Sequence, residues 1–135
     1  MIVNADFALK AVVHTQTMPW EKSPIEGVER KYLDRVGGEV AIASTVVKYA
    51  PNSSFTRHAH GGGEEILVLD GVFSDENGDY PAGSYLRNPP KSSHTPFSKK
   101  GCTLFVKLRH FHEGDLESVR INTNTETWHQ GMVPG

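Results

Sequence analysis

The chain has 135 residues, 14 basic and 16 acidic side chains for a formal net charge of −2, 37% hydrophobic and 22% charged residues, and one cysteine. This composition suits a single soluble globular domain with a sizeable core. It excludes a basic stripe for nucleic acid, an apolar run of the roughly 18 residues that a membrane span needs, and an intrachain disulfide. The first residues, Met-Ile-Val-Asn-Ala-Asp, lack the basic flank and apolar block of a signal peptide, and the single cysteine fits a reducing, cytoplasmic setting.

Glycine (13) and proline (8) punctuate the chain, and no long segment has a helical period, a pattern of short strands joined by turns. Residues 1–15 are expected to hold one strand, with 8–13 as its apolar part. Residues 28–33 alternate and end at Asp34, before a turn at Gly37-Gly38. Residues 40–49 are a strong strand candidate, because Val46, Val47 and Tyr49 favour a pleated surface. A turn at residues 51–54 leads to an extended stretch over 55–60, and three glycines at 61–63 permit backbone angles that other residues resist. A near-continuous apolar strand follows over 64–69, with Asp70-Gly71 as a hairpin signal and Val72-Phe73 opening the return strand.

Residues 75–79 form a polar loop; Asp75, Glu76 and Asp79 lack the full ligand spacing of a calcium loop, so the segment is expected to be solvated. After a turn at 81–83, a short strand covers 84–88, and Pro89-Pro90 reverses the chain toward His94. The last clear strand spans 103–111, with Leu104, Val106 and Leu108 on one face and Lys107 and Arg109 on the other, as a wall with one dry face requires. Cys102, just before it, is expected to be a buried, inert thiol. The polar tail over 119–135 is expected to fold back and cover Trp128. The expected fold is all-β, one sandwich or barrel with its core at about residues 28–112, on which the N-terminal strand and the tail pack.

The chemistry concentrates in Asn52-Ser-Ser-Phe-Thr-Arg-His58-Ala-His60-Gly-Gly-Gly-Glu64. In a strand, residues i and i+2 share a face with Cα atoms roughly 6.5 Å apart, so His58 and His60 can converge on one ion. Glu64 keeps their parity, and the glycines between let the backbone bend the carboxylate toward the imidazoles. Glu65 belongs to the other face, while Ile66 and Val68 give the site a dry floor. His94 arrives from a separate strand. Three imidazole nitrogens and one carboxylate oxygen suit a divalent transition metal, Fe(II), Zn(II), Ni(II) or Mn(II), and leave a position open for water or substrate.

These residues also resemble a cupin. The first cupin motif is Gly, five residues, His-x-His, three or four residues, Glu, six residues, Gly; here Asn52, His58-Ala-His60, Glu64 and Gly71 stand at those places. The second is Gly, five residues, Pro-x-Gly, two residues, His, three residues, Asn; here it reads Gly83, Pro89-Pro-Lys91, His94 and Ser98. Asn52, Lys91 and Ser98 are the departures, and none is a ligand. Segments 63–71 and 75–89, with Gly101-Cys-Thr-Leu-Phe-Val-Lys107, look most similar to the ChrR-like cupins, which also resemble acetylacetone-cleaving dioxygenases. The resemblance implies a double-stranded β-helix (jelly-roll) barrel with a metal in its mouth, and commonly a homodimer. ChrR carries an N-terminal zinc module that grips a sigma factor; this chain has only His14 before residue 58, so that role is not expected.

Among the remaining candidates, His110 has the parity of Val106 and Leu108 and could line the cavity as a supporting donor or base. His110 and His112 repeat the His-x-His spacing but lack a following Glu. Tyr85 and Arg87 share a strand face and could recognise a carboxylate or enolate, or lie on an exposed or dimer face. Tyr49 and Phe55 are candidates for a pocket wall. Two functions are open: a metal-dependent enzyme, such as an Fe(II) dioxygenase cleaving a β-diketone-like substrate, and a non-enzymatic metal- or ligand-binding sensor.

Overall fold

The computed structural model describes residues 1–37, 41–55, 58, 59, 61–111, 114 and 116–129; of 58 and 59 the backbone alone is described. Two-residue strands β1 (Ile2–Val3) and β2 (Glu21–Lys22) flank the long β3 (Val28–Gly37), which is followed by β4 (Ala41–Tyr49), β5 (Ser53–Ser54) and β6 (His58–Ala59). The twelve-residue β7 (Glu64–Asp75) turns into β8 (Gly78–Pro81), and β9 (Ser84–Asn88), β10 (Ser93–His94), β11 (Phe97–Ser98), β12 (Cys102–Leu108) and β13 (Val119–Asn122) complete the chain. Only a 3-10 turn at Thr15–Thr17 interrupts this all-β architecture among the described residues.

One antiparallel sheet runs in the order β1-β3-β4-β12-β7-β11-β5, with β8 and β9 also on β7 and β13 on the outer side of β9, while β6 and β10 form a separate ribbon. Cross-strand partners share a face, so the register sorts the wall into rows. Glu64, Leu108, Ala43 and Arg35 form one row; Ile66, Val106, Thr45 and Tyr32 the next; Val68, Leu104, Val47 and Arg30 a third; Cys102, Tyr49 and Val28 close the series. This is the inner face. Ile66, Val68, Phe73, Leu86 and Leu104 are almost wholly buried in its core, each contributing about 1.5–3 kcal/mol relative to an exposed side chain.

Two β-bulges place residues of opposite sequence parity on that face. In β3 the register slips between Tyr32 and Asp34, so Tyr32 and Arg35 both point inward; Asn4 Nδ2 donates to the Leu33 carbonyl at the slip, 2.8 Å away. In β7 the register slips where Val68 and Asp70 pair with Leu104 and Thr103. The expected hairpin at Asp70-Gly71 is therefore a bend within one strand. Gly71 has φ 73°, a Cβ there would lie 2.2 Å from the Gly101 carbonyl oxygen, and that oxygen accepts a hydrogen bond from Val72 N. The true reversal is at Glu76-Asn77, where Asp75 accepts from Asn77 N and Tyr80 Oη. Asp75 is buried, while Glu76, Asn77 and Asp79 are exposed, so the segment is a tight hairpin whose tip is solvated as expected.

Other expectations also yield. The strand expected over 8–13 is absent: pairing occurs at Ile2–Val3, opposite Val36 and Arg35, and the apolar Phe7, Leu9, Val12 and Val13 stay exposed. Val119–Asn122 of the tail adds to β9, but Trp128 is 91% exposed, since nothing described packs over it. The strand expected over 103–111 is β12 and ends at Leu108, because Arg109 takes φ 64° and leaves the ladder.

Candidate metal centre

Two of the four expected ligands meet in the described structure. Glu64 opens β7 at the rim of the inner face and is 8% exposed; His94 sits in β10 and is 5% exposed. His94 Nε2 lies 3.7 Å from Glu64 Oε1. That is too long for a hydrogen bond. It is within a few tenths of the roughly 3.0–3.4 Å between two donors that each sit about 2.1 Å from one cation at octahedral or tetrahedral angles. A buried carboxylate is costly unless paired, and here Asn88 Nδ2 also donates to Glu64 Oε1 at 3.4 Å. The Phe73 ring, 6.3 Å from that of His94, forms an apolar backing.

His58 is directly opposite His94 in the β6–β10 register, so the two motifs are joined at their histidines through the backbone. The side chain of His58, and His60 altogether, lie outside the described residues. Among the described residues no group of three or more His, Cys, Asp or Glu side chains gathers.

The glycines between His60 and Glu64 do more than bend. A Cβ at Gly62 would meet Arg109 Cγ at 2.2 Å, and at Gly63, where φ is 83°, it would meet the Phe111 ring at 2.6 Å. Gly63 O accepts from Arg109 N at 3.1 Å. The end of β12 thus clamps the ligand loop, a contact that spacing alone did not reveal. Two departures from the cupin motifs are conformationally equivalent to glycine: Asn52 has φ 59° and Lys91 φ 71°. The third, Ser98, is fully buried and donates to the Val72 carbonyl at 2.6 Å.

A cavity of about 600 Å³ opens beside Glu64, a size suited to a small organic ligand. Ile66, Leu104, Val106, Leu108, Val47, Tyr49 and Phe55 wall it, with Arg30 and Arg35 as its cations. The Tyr49 and Phe55 rings meet at 4.8 Å, so the expected pocket wall is present. Burial, and then the Glu64 charge, push the Tyr49 hydroxyl well above its usual range, so it stays a neutral donor. A second depression of about 430 Å³, lined by Glu26, Gly27 and Pro51 among others, lies behind Tyr49 away from the carboxylate.

Three other candidates fall elsewhere. Tyr85 and Arg87 pair with Leu67 and Glu65 on the outer face, so they do not reach the cavity. His110 follows the break at Arg109, which voids the parity argument; its ring stacks on Phe7 at 6.5 Å instead of lining the cavity. His112 lies outside the described residues. Cys102 is buried, and desolvation raises its thiol to about 11, as expected of an inert group.

No curated protein sequence matches the chain. Among solved structures it resembles a chain from the complex of SigE with the anti-sigma ChrR of Rhodobacter sphaeroides (25% identity, TM-score 0.59), covering 70% of this chain and 51% of that one, about half its length. It also resembles a protein provisionally named an acetylacetone dioxygenase from Methylibium petroleiphilum (16%, TM-score 0.64, 86% and 92% covered). A third likeness is the polyketide cyclase RemF of Streptomyces resistomycificus (19%, TM-score 0.60, 79% and 89% covered). The last two identities speak for the fold alone. Residues 9–112 match the ChrR Cupin-like domain family, which spans the ligand loop, the cavity wall and both motifs, and the chain belongs to that family.

Proposed function

We propose that His58, His60, Glu64 and His94 hold one divalent transition metal, Fe(II), Zn(II), Ni(II) or Mn(II), and that a small-molecule substrate reaches it through the cavity. The observation that carries this is the approach of two buried side chains, His94 and the cavity-lining Glu64, at 3.7 Å. A divalent ion bound there supplies Lewis acidity, which favours the enolate of a β-diketone-like ligand. The chain's own part is to position and to dry. Asn88 holds one oxygen of Glu64, Tyr49 offers a neutral hydroxyl, and Ile66, Val106 and Leu108 keep water from the reacting carbons. The reaction this suits is a metal-dependent conversion such as Fe(II)-dependent dioxygenation and cleavage of a β-diketone-like substrate.

The likeness to the ChrR complex favours a second reading, a non-enzymatic cupin that binds metal or a ligand and signals through a protein surface. A homodimer is part of either reading, and the exposed cross-strand neighbours Ile2, Val36 and Ile42 offer it an apolar edge.

Elemental analysis after reconstitution tests the metal: one ion per chain is expected. His94→Ala should weaken its binding by more than the roughly 10–100-fold that losing a supporting group costs. A wild-type protein that folds yet takes up no ion defeats the proposal. Oxygen uptake by Fe(II)-loaded protein across a panel of β-dicarbonyls decides between the readings; a bound metal with no turnover favours the sensor.

A further inference from the structure

The cavity is not electrically neutral. Arg30 and Arg35 line it, and Glu64 is its one acidic lining residue among those described. Arg30 forms no described ion pair, and its Nε is buried without a hydrogen-bond partner among the described residues. Its described side-chain contact is with a ring: the guanidinium carbon stands 5.1 Å from the centroid of Tyr32, which Arg35 approaches at 5.6 Å from its own position. Both arginines are inward by register, Arg35 in the row of Glu64 and Arg30 two rows further along. A buried donor left without an acceptor costs about 1–3 kcal/mol, more when charged; Arg30 is half-buried and lines the cavity, so its guanidinium is placed to take an anionic ligand there. Arginine's planar fork matches a carboxylate.

We propose that Arg30, with Arg35 beside it, is the anion anchor of the cavity. Its ligand is a small carboxylate whose far end is a chelating dicarbonyl directed at Glu64 and His94. The chelating half rests on the metal reading above; the anion half does not. Two rows correspond to about 13 Å of strand, part of which the long arginine arm spans. A ligand of some seven carbons bridges the rest. An uncharged β-diketone leaves Arg30 unsatisfied and binds more weakly.

The test uses a pair with the same seven-carbon skeleton, 4,6-dioxoheptanoate and heptane-2,4-dione, in which a methyl replaces the carboxylate. Both are titrated calorimetrically into zinc-loaded protein, where no oxidation competes. The carboxylate is expected to bind at least ~10-fold tighter, about 1.4 kcal/mol. Arg30→Met should bring the ratio near one with the metal content unchanged. Arg30→Lys, which keeps the charge but not the fork, should give an intermediate ratio and covers the case in which the methionine variant does not fold. Equal affinities in the wild type, or a ratio that survives Arg30→Met, overturn the proposal. Repeating the pair on metal-free protein separates the two readings. A carboxylate preference that persists there and falls with Arg30→Met supports the anchor without the metal. One metal per chain with no carboxylate preference overturns the anchor and leaves the metal reading standing.

Discussion

Two pairs of side chains look alike in the sequence and end on opposite faces of one wall. Tyr85 and Arg87, two residues apart on β9, share a face as alternation requires, but it is the outer one, opposite Leu67 and Glu65. Arg30 and Arg35, five residues apart on β3, would be split by alternation, yet both enter the cavity because the bulge after Tyr32 adds a residue between them. The environments differ accordingly. Arg87 lies over Phe111 at 5.7 Å, and the outer face also holds the Glu29–Lys48 ion pair, half open to water. Inside, Arg30 likewise has a ring for company, Tyr32 at 5.1 Å, but it lines the cavity together with Arg35 and Glu64. The difference teaches that parity assigns residues to a common face only within an unbroken ladder. Which face is dry comes from the neighbouring strands.

The contrast can be broken most severely at its hinge. Gly71→Ala puts a Cβ 2.2 Å from a carbonyl oxygen at φ 73°, a clash with strain of the kind that costs about 3 kcal/mol or more. Chemical denaturation should show a fall of that order or an insoluble protein. A near-neutral substitution would mean that β7 does not bend as described and that the inner rows are misassigned. A smaller effect reports the dryness of the inner face through Cys102. Its thiol titrates near 11 in the folded protein, against 9.0 as the ordinary value. The unfolded chain therefore loses its proton first, and the linked stability is complete below pH 9 and lost as pH rises from about 9 to 11. The slope approaches 1.4 kcal/mol per pH unit. Cys102→Ala should flatten that part of the curve, and an unchanged slope would show the inner face to be wetter than its packing implies. The smallest effect is expected outside: Arg87→Met should shift stability by about 1 kcal/mol or less and leave the preference for 4,6-dioxoheptanoate untouched. A lost preference would move the anion anchor to the outer face.

Much of the wall was legible beforehand. The strands expected over 40–49, 84–88 and 103–111 from β-branched alternation between glycine and proline are found at Ala41–Tyr49, Ser84–Asn88 and Cys102–Leu108, and Ile66 and Val68 are the dry floor that their parity suggests. Glu64 and His94, read as partners from motif spacing alone, lie side by side. What stayed hidden were the places where local chemistry has two solutions. Asp70-Gly71 suits a hairpin turn and also a bulge, and only the Gly101 carbonyl packed against it selects the bend. Residues 8–13 are apolar enough for a strand, but the edge of β3 is taken by Ile2–Val3. His110 lost its place in the alternation to one residue, Arg109, with a left-handed backbone. Arg30 and Arg35 escaped notice because a bulge leaves no residue signature of its own.

The long β7 carries a mechanical corollary. Its first half is laced to β9 and β12 and its second to β8 and β11, so a single run of backbone stitches together both sides of the roll. Neither side can peel away while the other stays whole. Melting is therefore expected to be all-or-none, with the rim that bears Glu64 held by the same strand that buries Phe73 at its far end.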